Sequence, residues 1–509
     1  MGVRIAIGGE FFDRIRQDGR YYVDKTELIY ELVHETGNTV TLFTRPRRFG
    51  KTLMMSMIEN FFDIRRDSRE LFAGLNITRH EAFCAEWMNQ YPVLFLTMKD
   101  AEALTFEGAY AMLKSIISNV CIKHAFLGDS KNVDSADVEK FIRLKAGAAT
   151  EEDVKNSLLI LTRMMASHYG KPVILLIDEY DVPLAKANEE AGERYYPQML
   201  GVIRGILSSA LKSNDYLKFG VVTGCLRIAK ESIFTGVNNF KSYSVLDRRF
   251  SQYFGFTEAE VETLLNRAGL ADRMDLVRSW YDGYGIGNTK VFCPWDVLNY
   301  VADAQEDRNA RPRNYWKNTS GNGIIRDFVE RKEFQVKHKF ETLMNGGTIT
   351  QTISDELTYD SLHETEDNLW SVLLMTGYLT KAVTEEMPLM PLRIPNREIL
   401  AVFRQEVWDY FRDRIDNVFV RDLVNALWGK EIDQAENALG QILEATLSFY
   451  HEYHEYSYHL ILDGFFTGMG YRVQSERETG YGRSDLIILD AGRCRCMILE
   501  LKHVEKEAE

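Results

Sequence analysis

The sequence predicts an α/β fold in which a parallel β-sheet carries helices on both of its faces. Short, fully apolar runs alternate with segments of helical length, and such runs are typical of strands buried on both faces. The predicted strands are Thr39–Thr44, Pro92–Thr97, Pro172–Ile177 and Leu217–Thr223. A second observation, apolar residues at helical spacing, predicts helices over about Lys25–His34 and Leu53–Phe62. The first of these begins with a capping-box pattern, Asp24-Lys-Thr-Glu27.

Size and composition agree with packed globular domains. The chain has 509 residues, of which 45% are hydrophobic and 27% charged, as in an ordinary folded protein. At about 150 residues per domain, roughly three domains are expected. The six cysteines include no Cys-x-x-Cys pair, which favours reduced thiols over a disulfide framework. No apolar run approaches the length of about 20 residues that a membrane span needs, so we expect a cytoplasmic protein without a membrane partner.

The pattern of elements changes twice along the chain. After Gly255 a second capping box, Thr257-Glu-Ala-Glu260, opens a stretch that is mostly helical to about Ala382. Beyond Arg393-Ile-Pro-Asn396 the predicted elements are helices over Glu398–Phe411 and Ile432–Phe449 and strands over Tyr471–Ser475, Leu486–Leu489 and Cys496–Leu501. We therefore predict an N-terminal domain over 1–255, a mostly helical middle domain over 256–396 and a C-terminal α/β domain over 397–509.

The first predicted strand runs into a loop that ends in Gly50-Lys51-Thr52 and precedes a helix. This order is that of a P-loop, in which backbone N–H groups hold phosphates. Lys51 would contact the β- and γ-phosphates of ATP, and the Thr52 hydroxyl would bind Mg²⁺. Arg45 replaces the first glycine of the usual GxxxxGK[ST] pattern, and we assign it to nucleotide binding together with Arg48 and Gly50. The alternative is a chance Gly-Lys-Thr beside a solvated basic turn.

Polar residues follow the third and fourth predicted strands. Asp178 and Glu179 come after the apolar run Pro172–Ile177. In P-loop ATPases the strand-end aspartate holds Mg²⁺ and the next glutamate polarises the attacking water, whereas the alternative is an ordinary acidic turn. Thr223 can sense the γ-phosphate, and Arg227 can act as an arginine finger, within its own chain or toward a neighbour. A surface arginine with no role is the alternative for Arg227.

A pattern of carboxylates and a lysine near the C-terminus indicates a second kind of chemistry. Glu500 and Lys502 lie two residues apart on a predicted strand and so share a face. If this strand pairs with the preceding one, Asp485 lies beside Glu500, and the two carboxylates could hold Mg²⁺ at a scissile phosphate. Lys502 would orient the attacking water or stabilise developing charge. The alternative is an edge hairpin with solvated charges, because Glu-x-Lys is common by chance.

A set of short, distinctive segments is spread over nearly the whole chain. The segments are Tyr21-Tyr-Val-Asp24-Lys25-Thr26, Thr44-Arg-Pro-Arg-Arg-Phe-Gly-Lys-Thr52, Leu176-Ile-Asp-Glu-Tyr-Asp181, Thr223-Gly-Cys-Leu-Arg-Ile228, Trp280-Tyr-Asp-Gly-Tyr284, Pro294-Trp295, Tyr315-Trp-Lys-Asn-Thr-Ser320, Thr376-Gly-Tyr-Leu379 and Arg393-Ile-Pro-Asn396. This set resembles the bacterial AAA-ATPase-like family whose members often carry a C-terminal PD-(D/E)XK nuclease-like domain. The resemblance implies that Arg45 is the family's own pattern and that a helical domain follows the ATPase. It also implies a nuclease-like site with Asp485, Glu500, Lys502 and Glu455.

We therefore predict a P-loop NTPase fold that binds and hydrolyses ATP with Mg²⁺, joined through the helical domain to a PD-(D/E)XK-type nuclease acting on DNA. Because the net charge is −14, DNA would need a local basic patch. A homo-oligomer is expected from the ATPase class. The alternative is a nucleotide-dependent switch or assembly protein, whose C-terminal domain binds a partner without cleaving it.

The predicted nuclease domain looks truncated. A PD-(D/E)XK core resembles a helix, three strands, a second helix and a further strand, and only His503–Glu509 follow Lys502. One face of the sheet would lack its cover, and the carboxylates would lack rigid support for a metal. We therefore expect little DNA cleavage by this chain.

Overall fold

The computed structural model of the chain describes residues 3–34, 39–188, 194–227, 240–316, 336–355, 357, 365–382, 389–412 and 417–447. Nearer the C-terminus it describes residues 462, 465–466, 469, 471–479, 482–490, 492 and 494–500. The chain divides into two compact units, one spanning Met1–Arg313 with Thr350–Asn396 and the other Asn314–Ile349 with Arg397–Glu509. The domain boundary predicted at residue 255 stays a prediction.

The centre of the first unit is a parallel β-sheet. Its strands are β1 (Val40–Thr44), β2 (Val93–Thr97), β3 (Val173–Asp178), β4 (Leu217–Gly224) and β5 (Phe240–Tyr243). They lie in the order β2-β3-β4-β1-β5, and all neighbouring pairs run parallel. Every residue of β1 and β3 is buried, which requires cover on both faces of the sheet. The predicted α/β class with a parallel sheet is confirmed.

The helices follow the chain in this order: α1 (Phe12–Gln17), α2 (Glu27–His34), α3 (Lys51–Phe62), α4 (Arg69–Phe72), α5 (Glu81–Trp87), α6 (Phe106–Lys123), α7 (Ser135–Lys145), α8 (Glu151–Lys155), α9 (Ser157–Tyr169), α10 (Val182–Ala187), α11 (Tyr196–Leu211), α12 (Glu258–Ala268), α13 (Met274–Tyr281), α14 (Pro294–Glu306), α15 (Val336–Met344), α16 (Glu366–Thr376), α17 (Arg397–Arg412), α18 (Asn417–Gly429) and α19 (Ile432–Leu447). Short 3₁₀ helices cover Asn76–Arg79, Ala125–Asp129, Ser251–Tyr253 and Ala271–Arg273. Within the described ranges, no helix has the length and apolar character needed to cross a membrane.

The region after Gly255 contains short strands between its helices. They are β6 (Tyr284–Ile286), β7 (Thr289–Val291), β8 (Ile349–Gln351), β9 (Thr380–Lys381) and β10 (Met390–Arg393). β6 and β7 form an antiparallel pair, and the other three form a sheet in the order β8-β10-β9. Each has only two to four residues, too few for a periodic pattern, so the sequence predicted only the helices. The predicted capping box at Thr257 and Glu260 is present at the start of α12.

Two segments that lie far apart in the sequence, Trp280–Tyr284 and Arg393–Asn396, meet at Gly283. Its φ is +110°, and a Cβ atom added there would lie 2.1 Å from the carbonyl oxygen of Pro395. Both the backbone conformation and the close approach therefore require glycine. This contact joins the Trp280–Tyr284 segment to the Arg393–Asn396 segment.

We expect Gly283→Ala to destabilise the protein by about 3 kcal/mol or more, because an overlap with backbone adds to left-handed strain. Gly269→Ala is a matched control, since Gly269 also has a positive φ, +72°, but its Cβ position is open. That change should cost about 1 kcal/mol. Thermal and urea unfolding of both variants would measure the difference, and equal losses would contradict the packing argument.

In the second unit, three C-terminal strands form an antiparallel sheet. They are β11 (Arg472–Thr479), β12 (Gly482–Asp490) and β13 (Arg495–Leu499), in that order. The inner face of β12 contributes Leu486 and Ile488 to an apolar core that includes Val420, Leu423 and Val424 of α18 and Ala438 and Ile442 of α19. On the outer face, Ile498 of β13 is 57% exposed. The predicted strands are confirmed in place, with bounds that differ by a few residues.

Candidate nucleotide-binding site

The loop from residue 45 to Gly50 connects β1 directly to α3. Gly50 precedes the helix with a φ of +83°, and the space around its Cβ position is open. Glycine is therefore needed there for the left-handed backbone rather than for room. No side chain caps this end of α3, and its first turn contains no acidic residue. The N–H groups of the first turn thus meet no competing carboxylate within the helix, which suits the binding of an anion.

Lys51 is buried at the start of α3, with its side chain 2% exposed. Its Nζ atom donates hydrogen bonds to the carbonyl oxygens of Arg45 and Pro46, both at 3.1 Å. It also lies 3.6 Å from Oε1 of Glu179. Burial by itself lowers the pKa of Lys51, but the nearby Cys225 and the carboxylates around it outweigh burial, so the pKa is raised. A lysine with a raised pKa is a cation at neutral pH.

Asp178 joins two hydroxyl groups from different elements. Its Oδ2 atom accepts a hydrogen bond of 2.9 Å from Oγ1 of Thr52, and its Oδ1 atom accepts one of 2.5 Å from Oγ1 of Thr223. The carboxylate is fully buried. Burial and then the charge of Glu179 raise its pKa, while the two hydroxyl groups and Lys51 partly offset this shift. The structure thus brings together Thr52, Asp178 and Thr223.

The strand order explains why these three residues meet. β4 lies between β1, which leads into the loop, and β3, which ends in the acids. Thr223 near the end of β4 therefore lies between the loop side and the acid side of the site. The carboxyl ends of parallel strands meet at one edge of a sheet, where ligands bind in open α/β folds.

The donor atoms of this cluster suit Mg²⁺. A hydroxyl and a carboxylate are hard oxygen ligands, and magnesium typically takes one or two carboxylates together with water and substrate phosphates. In the part of the chain that the structure describes, no three His, Cys, Asp or Glu side chains are grouped to hold a metal. A cation that relies on a bound nucleotide for most of its ligands fits this arrangement, and Thr52 and Asp178 are the residues that would hold it.

We expect the affinity for Mg²⁺–ATP to fall on acidification at a pH above the ordinary aspartate range, about 3.9. The ionised form of Asp178 attracts the cation, and burial raises the pKa of this carboxyl group. Protonation therefore removes the attraction at a higher pH than it would in a solvated carboxylate. Calorimetric titrations at successively lower pH, with the wild-type chain and Asp178→Asn compared at each pH, would measure this effect. Asp178→Asn should bind Mg²⁺–ATP more weakly and lack this part of the pH dependence. The same pH profile in both proteins would contradict the assignment.

Glu179 directly follows the metal-binding candidate and has an unusual backbone. Its φ is +55°, a left-handed value that is uncommon for a residue other than glycine and concentrates at functional sites. Its side chain is 17% exposed, so water can reach the carboxylate. The structure brings Glu179 next to Lys51, and its assignment as the catalytic base stays a prediction.

The loop arginines differ in their surroundings. Arg45 is fully buried, and its guanidinium donates to the carbonyl oxygens of Thr44, at 2.8 Å, and Tyr243, at 2.7 Å. It also lies 4.6 Å from the ring centre of Phe254. Burial lowers the pKa of Arg45 to about 9, which leaves it charged at neutral pH. These contacts are with the protein itself and tie β1 to β5, and the assignment of Arg45 to nucleotide binding stays a prediction.

Arg48 and Arg227 contact the part of the first unit that follows residue 255. Arg48 has a φ of +70° and stacks 3.9 Å from the ring centre of Trp295 at the start of α14. Nη1 of Arg227 lies 3.9 Å from Oδ2 of Asp355 in the same chain. Both arginines are partly buried. Their assignments to nucleotide binding and catalysis stay predictions.

Sequence reasoning missed some residues of the site. Oγ1 of Thr97 lies 3.5 Å from Oδ2 of Asp178, and its position at the end of a predicted strand could have indicated it. Cys225, whose Sγ atom lies 3.7 Å from Nζ of Lys51, gave no such signal. Burial raises the pKa of this thiol to about 11, and the charge of Lys51 partly offsets the rise.

Of the residues predicted for a nuclease-like site, the structure describes Asp485 and Glu500. The register of β12 and β13 ends at this side with Leu486 opposite Leu499, and Asp485 and Glu500 are the residues next to that pair. Glu500 is exposed. Lys502 lies outside the described residues, as does Glu455.

Two comparisons with known proteins bear on this site. Residues 6–234 match the model of a family described as predicted AAA-ATPase, a range that contains the loop, the acids after β3 and the end of β4. The chain is also 25% identical, over 523 aligned residues, to a protein of Azotobacter chroococcum mcd 1 named "Uncharacterized protein in vnfD 5'region". That alignment covers 99% of this chain and 90% of the relative. The family match shows that the part of the chain that carries the candidate site is similar to a predicted AAA-ATPase.

Proposed function

We propose that the chain binds Mg²⁺–ATP at the loop between β1 and α3 and hydrolyses it. The observation that carries this proposal is the hydrogen-bonded cluster of Thr52, Asp178 and Thr223 beside the contact between Lys51 and Glu179. This cluster unites a phosphate-binding loop, a cation site and a candidate base. In the family match, the same residues lie within the AAA-ATPase range.

Each residue has a distinct task in this proposal. The N-terminal N–H groups of α3 and the ammonium of Lys51 bind the phosphates, because both offer positive charge at one point. Thr52 and Asp178 hold Mg²⁺, which neutralises phosphate charge and orients the γ-phosphoryl group. Glu179 orients the attacking water and accepts its proton. Thr223 fixes the carboxylate of Asp178 through its hydroxyl and would sense the γ-phosphate.

The direct test compares phosphate release by the intact chain with Mg²⁺ and with a chelator. We expect release from ATP only with the cation, and loss of that release in Asp178→Asn. Gln replacement at Glu59, a partly buried acid on α3 whose side chain lies 3.5 Å from Arg66, should leave release unchanged. Release that is equal in the wild-type chain and in Asp178→Asn would refute the assignment.

Arg227 is proposed to stabilise the transition-state charge within its own chain. Its contact with Asp355 of the same chain favours this over action toward a neighbouring subunit. Turnover per chain should then be independent of protein concentration. A rise of turnover with concentration would favour the homo-oligomer expected from the ATPase class.

A second candidate function is divalent-metal-dependent cleavage of DNA by the C-terminal unit. The supporting observation is that Asp485 and Glu500 adjoin the last paired residues of β12 and β13, Leu486 and Leu499, so that one further step of the same pairing would set the two carboxylates opposite each other. Directly opposite residues have Cβ atoms about 5 Å apart, close enough for both carboxylates to share a cation. Because Glu500 is exposed and solvated carboxylates bind cations weakly, we expect at most slow cleavage. The competing possibility is a nucleotide-dependent switch in which this unit only binds a partner.

Incubation of single- and double-stranded DNA with Mg²⁺, with and without ATP, separates these possibilities. Cleavage that Asp485→Asn and Glu500→Gln abolish would support the nuclease. An absence of cleavage, together with ATP-dependent changes in assembly, would support the switch.

A further inference from the structure

The turn after Glu179 is tied to the segment after β4 by buried hydrogen bonds. Oδ2 of Asp181 accepts hydrogen bonds from the backbone N–H groups of Cys225 and Leu226, both at 2.9 Å. The hydroxyl of Tyr180 donates to the carbonyl oxygen of Leu226 at 2.7 Å. The N–H of Tyr180 donates to the carbonyl oxygen of Thr223 at 3.1 Å. Both side chains are almost completely buried.

Gly224 allows this close association. A Cβ atom there would lie 2.6 Å from Cε1 of Tyr180 and 2.7 Å from Oδ1 of Asp181. Any side chain at this position would push the turn and the segment apart. Tyr180 and Asp181, which follow β3, therefore pack closely against the residues at the end of β4.

Arg227 immediately follows the two anchored residues. Its backbone starts one peptide beyond Leu226, whose N–H and carbonyl groups are both held, by Asp181 and Tyr180 respectively. The position from which the arginine side chain extends is thus set by the same turn that positions Asp178 and Glu179. Hydrogen bonds to a buried carboxylate are among the stronger ones in proteins.

We propose that Tyr180 and Asp181 are positioning residues that hold the segment Gly224–Arg227. Through them, the turn that positions Asp178 and Glu179 also places Arg227 at the phosphates. The inference rests on the proposed ATPase function and adds roles for the last two residues of the Asp178–Asp181 segment. Neither residue contacts the nucleotide in this scheme. Their loss should therefore lower kcat, and leave the affinity for ATP within about threefold, because the contacts of Lys51 with the loop carbonyls remain.

The test is a double-mutant cycle with Arg227→Ala in the intact chain. Tyr180→Phe keeps the ring that packs on Gly224 and removes only the hydroxyl, so the variant should fold. We expect kcat to fall at least about threefold in Tyr180→Phe and at least about tenfold in Asp181→Ala and Arg227→Ala. In the Arg227→Ala background, each positioning change should lower kcat by less than about twofold. Asp181→Asn, whose amide oxygen can accept both N–H groups, should restore most of the activity lost in Asp181→Ala.

The possible outcomes distinguish a failure of this inference from a failure of the proposed ATPase function. If the wild-type chain does not hydrolyse ATP, both fall. If it hydrolyses ATP but the effects of Tyr180→Phe and Arg227→Ala are additive, or Arg227→Ala has no effect, only the positioning role is wrong. A merely structural role would lower the melting temperature without this dependence on Arg227.

Discussion

Replacing Lys51 by alanine is expected to weaken ATP binding by at least about 100-fold. The lysine is a buried cation with a raised pKa at the start of α3, so its removal leaves the phosphate charge without its closest positive partner. It also leaves the carboxylates of Asp178 and Glu179 facing the phosphates without a balancing charge. Binding of a fluorescent ATP analogue, measured by titration with Mg²⁺, gives the dissociation constant directly.

Lys25→Ala provides the matched control. Lys25 is likewise mostly buried and ion-paired, with its Nζ atom 2.7 Å from Oε1 of Glu260, but its partners are α12 and the carbonyl oxygen of Gln252. Its loss should lower the melting temperature as much as the loss of Lys51 and leave ATP affinity unchanged. Equal losses of affinity in the two variants would mean that stability, rather than phosphate binding, explains the effect of Lys51.

Replacing Glu179 by glutamine should keep ATP binding and lower turnover by at least about 100-fold. The amide has nearly the shape of the carboxylate and tolerates the same backbone, but it cannot accept the proton of the attacking water. Single-turnover phosphate release, at nucleotide concentrations above the dissociation constant, separates chemistry from binding.

Glu59→Gln is the matched control for this prediction. Its carboxylate side chain has the same exposure as that of Glu179, 17%, but it lies on α3 beside Arg66. Turnover should be unaffected. A Glu179→Gln variant that retains wild-type turnover would exclude Glu179 as the base and transfer the role to another residue of the site.

The strands that carry the site were predictable because burial on both faces leaves a continuous apolar run. Pro172–Ile177 and Leu217–Thr223 therefore anticipated β3 and β4 to within a residue or two. β5 was not predicted, since Phe240–Tyr243 is short and half polar and only its last residue is buried. The second capping box was confirmed at α12, whereas α2 begins at Glu27, two residues later than expected. There, Asp24 accepts a hydrogen bond from the N–H of Asn76 as well as from Thr26.

Side-chain directions in the loop could not be predicted in the same way. Whether Arg45 points to a ligand or into the protein depends on Phe254 and Tyr243, which only the folded chain brings near it. The partners of Asp181 likewise depend on how β3 pairs with β4, because its acceptor role requires the backbone of Cys225 and Leu226. The local sequence identifies such residues, but the contacts that they make depend on the tertiary fold.

The discontinuous first unit has a consequence for synthesis on the ribosome. Gly283 packs against the carbonyl of Pro395, and the N–H of Gly285 donates to Oγ1 of Thr380 at 2.8 Å. A nascent chain that has emerged as far as residue 313 already holds the loop, the acids and all strands of the parallel sheet, whereas Thr380 and Pro395 have not yet emerged. The sheet can form early, as domains generally fold while the chain is being made, but the unit closes only after residue 396 has emerged. A ribosome-stalled series of lengths on either side of that residue would therefore differ in resistance to proteolysis.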